Sequence, residues 1–280
     1  MGIWSFRFDQ LSPVEAVDAA QEIERLGFPS LWIPEVGRTE AMSLAAHLLA
    51  GTWSLTVANG IARVSDRSAS ASAAAHRYLE AVSGGRHVLG LGLGGPLSNG
   101  PKPIDLMTAY VEDVLEAWGS HSDADGTGPT WCLAAYGDRM ASMAGESTDG
   151  VHTYLVNPAH TVRMRALLGE APVIAAEMPV VLSDDEDEAR RVGRRHLKTY
   201  LRSTSNLRKF RALGFDDKDF VDGGSDRLVD ALVVHGAEAI AERLNAHRAA
   251  GADHVGVQVL GTATLEEDLA AWSLLARLVL

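Results

Sequence analysis

The sequence predicts an α/β protein of the (β/α)8 TIM-barrel class. Three observations carry that expectation. Short apolar or β-branched runs alternate with amphipathic stretches from end to end, eight such runs can be counted, and 280 residues is close to the ~250 typical of one such barrel. A doubly wound sheet has the same local rhythm, and the count of eight decides for closure. A single domain spanning residues 1–280 is expected, with an insertion at 203–224.

Gly2 to Phe6 reads as the first strand. Ser12 and Pro13 form an N-cap and first-turn pair, and Val14, Val17, Ala20, Ile23 and Leu26 mark one face of a helix that Gly27 stops. Ser30 to Ile33, Thr39 to Ala50 and Ser54 to Ala58 follow as strand, helix and strand. Ser68 to Val82 is helical, Arg86 to Leu93 is a strand broken by glycines, Ile104 to Trp118 is helical, Thr130 to Ala135 is the fifth strand and Asp138 to Ala144 a helix. Gly150 to Leu155, Pro158 to Leu168 and Val173 to Leu182 read as strand, helix and strand. From Asp184 to Arg202 runs a long helix whose acidic start and basic end complement the helix dipole, so its charges need no ligand. Residues 203–224 end in Asp222, Gly223 and Gly224 and break the alternation, hence the insertion. Past Ser225 to Val234 come a helix with Ile240, Leu244 and His247 on one face, an eighth strand at His254 to Leu260, and a last helix marked by Leu265, Leu269, Trp272, Ala276 and Val279.

Composition narrows the function. A net charge of −12 repels nucleic acid and anionic membranes, which leaves a small molecule as the expected partner. No apolar run approaches the ~20 residues of a membrane span, and the start, Met1 to Asp9, has no signal-peptide pattern, so a cytoplasmic protein is expected. The single cysteine, Cys132, reads as a small core residue and excludes an internal disulfide. Ten histidines are scattered without metal-ligand spacing, so no metal is expected, and no nucleophile elbow points to hydrolysis.

Four places attract chemistry. Glu35 follows the second strand, at the strand end where such barrels carry active sites, and reads as either an acid–base group or an exposed loop glutamate. Asn59-Gly60-Ile61 follows the third strand and is, by itself, a turn or bulge signal. The run from Gly90 to Gly95 lacks the third glycine and downstream acid of a dinucleotide fingerprint. Its glycines either pack a crowded barrel or let a flat ring approach the backbone. Ala135-Tyr136-Gly137-Asp138 opens a helix whose first N–H groups suit a phosphate, whereas Asp138 suits a cap and would repel one.

Several stretches together resemble the luciferase-like oxidoreductases, and more narrowly their actinobacterial branch that uses the deazaflavin coenzyme F420. They include Gly2-Ile3-Trp4-Ser5-Phe6, Leu31-Trp32-Ile33-Pro34-Glu35, Gly84-Gly85-Arg86, Ala134-Ala135-Tyr136-Gly137-Asp138-Arg139-Met140, Asp149-Gly150-Val151-His152, Ser225-Asp226-Arg227-Leu228-Val229 and Ala250-Gly251-Ala252-Asp253-His254-Val255. The resemblance spans nearly the whole chain. It implies a deazaflavin lying across the C-terminal mouth of a luciferase-like barrel and exchanging hydride with an organic substrate. By the same resemblance Gly60-Ile61 falls where relatives carry a bulge, often with a non-proline cis peptide, behind the ring. Asn59 would hydrogen-bond the ring edge, Gly92 and Gly94 would leave it room, Ala135 to Asp138 would meet the phosphate, and Glu35 would donate a proton or orient the cofactor. A homodimer is implied too. Departures are Arg67-Ser68 where a proline is usual, Asp138 in a place often held by proline, and the short polar loop at 120–129. An FMN-dependent monooxygenase and a degenerate barrel that binds no flavin are the alternatives.

Overall fold

The computed structural model describes residues 1–95, 101–119 and 130–280. The loop at 120–129 lies outside the described residues. The fold class is the (β/α)8 barrel, and the chain divides into two compact units, Gly2–His152 and Thr153–Leu280 with Met1.

The first unit holds β1 (Gly2–Trp4), β2 (Ser30–Ile33), β3 (Thr56–Asn59), β4 (Ala62–Arg63), β5 (His87–Gly92), β6 (Trp131–Ala134) and β7 (Gly150–Thr153). Its main strands pair in parallel in the order β1-β2-β3-β5-β6-β7, with β4 beside β5. The helices between them are α1 (Pro13–Arg25), α2 (Ala41–Gly51), α3 (Ala69–Ser83), α4 (Pro103–Gly119) and α5 (Asp138–Ser147). Local chemistry sets their ends. At α1, Ser12 and Glu15 cap each other's backbone reciprocally and Pro13 opens the first turn. At the end of α3, Gly84 takes φ 68°, which a side chain disfavours, and Arg86 then reaches across to donate to the carbonyls of Leu49, Leu55 and Ser83. The Gly84-Gly85-Arg86 motif is thus a tie between helix ends. Period-two alternation puts Leu89 and Leu91 on one face of β5 and Gly90 and Gly92 on the other.

The second unit holds α6 (Pro158–Leu168), β8 (Val173–Val181), α7 (Glu186–Tyr200), α8 (Thr204–Ala212), α9 (Asp226–Leu232), β9 (Val234–His235), α10 (Ala237–Ala249), β10 (His254–Val259) and α11 (Leu265–Val279), with β10, β8 and β9 side by side in parallel. The segment at 203–224 carries α8 and a 3-10 turn at Asp217–Phe220. Phe210 and Phe215 from it are buried among Leu155, Val181, Val192, Leu197, Leu228 and Val229, each phenyl contributing about 1.5–3 kcal/mol. It is packed structure, although its sequence breaks the βα rhythm.

The eight strands expected from the sequence are present, and two two-residue strands, β4 and β9, are additional. The sixth expected strand ends early, at Thr153, because Leu155 adopts φ 51° and leaves the extended region. Cys132 is buried, and burial pushes its thiol up to about 12, consistent with an inert core position. No helix among the described residues is long and apolar enough to cross a membrane.

Candidate active site

Every residue singled out from the sequence lies in the first unit. Its centre is the Gly60–Ile61 peptide, which is cis. The turn is pinned to the end of β2 on both sides: Gly60 donates its N–H to the Ile33 carbonyl at 2.9 Å, and the Ile61 carbonyl accepts from Glu35 N–H at 3.1 Å. Below it lie three inward side chains. A Cβ on Gly60 would stand 2.7 Å from Trp4 Nε1 and 3.4 Å from both His152 Nε2 and Trp32 Cε3. Trp4 donates its indole N–H to His152 Nε2 at 3.2 Å, and the His152 ring stacks on Trp32 with centroids 4.6 Å apart. An Nε2 that accepts places the neutral ring's proton on Nδ1. The three buried rings make an aromatic floor under Gly60, and Gly60 with the partly exposed Ile61 forms a shelf.

Glu35 does not have the surroundings of a proton donor. Its carboxylate takes four donors: Arg67 Nη2 and the Ala41 N–H on Oε1, Arg67 Nη1 and the Arg63 N–H on Oε2. A carboxylate offers about four lone-pair sites, so its capacity is filled. The pair is buried, with side-chain exposures of 8% for Arg67 and 4% for Glu35. Arg67 is shared with Glu40, whose carboxyl is held at about 2 against the opposing pull of burial by the N–H groups of Met42 and Ser43, the Ser43 hydroxyl and Arg67. Glu35 therefore fastens the loops after β2 and β4 to each other.

Asn59 is also committed elsewhere. Fully buried, it donates through Nδ2 to the Ala41 carbonyl at 3.5 Å and accepts through Oδ1 from His87 Nε2 at 3.1 Å. With that nitrogen donating, His87 Nδ1 accepts from His76 Nδ1 at 2.7 Å. Burial pulls His87 down to about 4 and His76, with His87 adding repulsion, to about 2. The Asn59 amide braces the turn from behind.

The glycines of β5 make room for the protein's own side chains. A Cβ at Gly92 would meet Ile61 at 2.8 Å and Ala134 at 3.0 Å; one at Gly94, where φ is 71°, would meet the Arg63 side chain at 2.5 Å. Gly90 is needed because Asn59 O lies 1.9 Å from its Cβ position. The glycines at 92 and 94 thus seat the Ile61 side chain and Arg63.

Ala135 is buried and donates its N–H to the His152 carbonyl at 3.2 Å, tying the loop after β6 to β7. Tyr136 is half-buried. Gly137 is the N-cap of α5 with no side-chain cap, and Asp138 is the exposed first residue of the helix. Its carboxylate complements the helix's positive end, and a phosphate there would meet a like charge.

The residues that sequence reasoning did not assign are Trp4, Trp32, His152 and Arg67. The first three had no signal from alternation, since every residue of their strands is buried. Arg67 had none, because its partner is 32 residues away.

The luciferase-like monooxygenase family model matches residues 5–254. The chain belongs to that family. A Mycobacterium tuberculosis protein, whose name proposes it as a coenzyme F420-dependent oxidoreductase, is 28% identical over 170 residues, 58% of this chain and 46% of its own. The chain thus spans about half the length of this curated relative. Among solved structures, an F420-dependent secondary alcohol dehydrogenase bound to an F420–acetone adduct superposes with a TM-score of 0.74 at 13% identity, over 96% of this chain and 95% of that one. The F420-dependent tetrahydromethanopterin reductase of Methanopyrus kandleri gives 0.74 at 18%, over 100% and 97%. The FMN-bound oxygenating constituent of 3,6-diketocamphane monooxygenase from Pseudomonas putida gives 0.74 at 16%, over 100% and 97%. At these identities the solved structures speak for the fold.

Proposed function

We propose that this luciferase-like protein is a coenzyme F420-dependent oxidoreductase that passes a hydride between the deazaflavin and an organic substrate. The observation that carries the reading is the Gly60–Ile61 shelf, pinned by β2 and floored by Trp4, Trp32 and His152, in a chain of this family. A partly exposed aliphatic shelf over stacked aromatic rings suits a flat, apolar ring face, and the N–H groups at the start of α5 suit its phosphate. The mycobacterial relative's name favours F420 over FMN.

When bound, the cofactor supplies the hydride chemistry. The protein's own residues hold the ring and keep the shelf still. Ile61 bears on one face, Gly60 allows the turn to lie on the aromatic floor, and the Glu35–Arg67 pair with the Asn59–His87–His76 chain fixes the turn from two sides. Glu35 is a positioning residue in this reading.

An FMN-dependent monooxygenase is the second reading, supported by the fold likeness to the FMN-bound Pseudomonas protein. Oxygen separates them, because a reduced flavin reacts readily with dioxygen whereas a deazaflavin acts as a hydride carrier. Oxygen uptake with FMNH2 that rises with protein concentration and saturates would support the second reading. Its absence, together with anaerobic hydride exchange on F420, supports the first.

A further inference from the structure

In the first unit the Arg63 guanidinium is a cation held in place without a hydrogen bond. Burial runs partial, full, partial over Ile61, Ala62 and Arg63, so Ile61 and Arg63 stand on one side of the chain at β4 and Ala62 on the other. The neighbouring β5 chain receives them in step. A Cβ at Gly92 would meet Ile61, and one at the exposed Gly94 would meet Arg63 Cγ at 2.5 Å, Nε at 2.7 Å and Cδ at 2.8 Å. The Arg63 main chain is fastened at both ends: its N–H donates to Glu35 Oε2 at 2.7 Å and its carbonyl accepts from Arg67 Nη1 at 2.8 Å. The arginine is therefore set two residues, about 7 Å of strand, beyond the Ile61 shelf.

The protein leaves the donors of this guanidinium unused. Arg63 Nε is buried and makes no hydrogen bond, and among the described residues neither Nη does. Asp66 Oδ2 lies 3.4 Å from Nε, a charge contact on that one edge without hydrogen-bond geometry. Glu35 does not neutralise Arg63 either, because Arg67 already pairs with it through both Nη atoms. A desolvated donor left unbonded is costly, so packing alone gives little reason to lay an arginine here. There is room beside it. The Arg63 side chain is 32% exposed, and nothing lies within 4 Å of a Cβ position at Gly95, the next residue after the glycine it rests on. A guanidinium presents a planar fork of N–H groups that matches the paired oxygens of a carboxylate or phosphate.

We propose that Arg63 is an anion-binding residue, whose Nη groups hydrogen-bond a carboxylate or phosphate carried by a flat organic ligand with its apolar part against Ile61. A chain of net charge −12 repels anions at long range, so an anionic ligand needs a cation at the point of contact. A neutral amide of the same shape is discriminated against, because it offers the fork one acceptor oxygen and leaves the charge unpaired. Asp66 opposes the anion from the Nε edge and moderates its affinity. That the anion belongs to a substrate or a cofactor rests on the oxidoreductase reading; the anion site itself does not.

The test titrates the full-length protein, without cofactor, with benzoate and with its neutral isostere benzamide, followed by NMR. Saturable benzoate binding is expected, about ten-fold tighter than benzamide and weakened by salt. Arg63→Gln should remove that preference, Asp66→Asn should tighten benzoate, and Arg25→Gln, which deletes the same charge from an exposed place on α1, should leave it unchanged. No saturable benzoate binding in the wild type, or binding that Arg63→Gln leaves intact, overturns the proposal. If Arg63→Gln does not fold, the wild-type Arg63 15Nε resonance decides: it moves with benzoate and not with benzamide if Arg63 is the donor, and stays if it is not. F420 separates the two sources of the anion. Benzoate that still binds the F420-loaded protein stands for a substrate carboxylate, whereas benzoate displaced by F420, with F420 itself weakened in Arg63→Gln, stands for an anionic group of the cofactor. Protein that binds benzoate through Arg63 but takes no F420 keeps the anion site and contradicts the cofactor reading instead.

Discussion

The indole N–H of Trp4 is bonded to His152 Nε2 directly below Gly60, so the turn that follows β3 rests on a hydrogen-bonded pair of buried rings. If that pair acts as a unit, Trp4→Phe and His152→Leu should be non-additive. A double-mutant cycle on urea unfolding is expected to give a coupling of about 0.5–1.5 kcal/mol. Additive effects would show that the contact carries no energy of its own.

Gly60→Ala should be costly for a steric reason. The added methyl lands 2.7 Å from Trp4 Nε1, and Trp4, Trp32 and His152 are all buried and have little room to retreat. Overpacking of this kind costs about 1–3 kcal/mol, and the denaturation midpoint should fall with the slope unchanged. Gly137→Ala is the control, because nothing lies within 4 Å of its Cβ position.

Glu35→Gln discriminates an anchor from a proton donor. Breaking a buried ion pair costs about 3–5 kcal/mol, and the low end is expected because Arg67 keeps Glu40. A proton donor would instead lose turnover with little change in stability. Circular dichroism melts of the variant separate the two.

Much of the fold was legible in the sequence, and less of the site. The limits of β2 and α6 match the reading because Ser30–Ile33 is bounded by turn residues and Asn157-Pro158 caps and opens its helix. The end of β7 was missed because the cause, the left-handed Leu155, depends on Glu177 and Lys209 from far along the chain. Glu35 was placed at the correct strand end, but its role depends on Arg67, which no local pattern links to it. Gly92 and Gly94 read as cleared space, which they are, although what fills the space is Ile61 and Arg63.

Asp138→Asn should tighten cofactor binding if the start of α5 meets a phosphate. Removing one carboxylate from a helix N-terminus relieves repulsion of about 0.3–1 kcal/mol, an affinity gain of about two- to five-fold that shrinks with added salt. An unchanged Kd at low salt would move the phosphate elsewhere.

Stability should decline on mild acidification. His87 and His76 have folded pKa values of about 4 and about 2, lowered by burial from the ordinary 6.5. The unfolded chain takes up protons below about 6.5 and the folded chain does not, so the contribution is whole above 6.5 and is lost as pH falls, down to about 4 for His87 and about 2 for His76. Urea midpoints measured from pH 7.5 to 5 should fall, and His87→Asn should flatten that dependence.

The proposed cofactor is checked by equilibrium titration of purified, folded protein with oxidised F420 and separately with FMN, followed by cofactor fluorescence. Saturable binding that prefers F420 and weakens in Gly60→Ala is expected. Preference for FMN, or no binding of either by a protein with native circular dichroism, would contradict it, the second outcome pointing to a barrel that has kept its fold and lost its flavin.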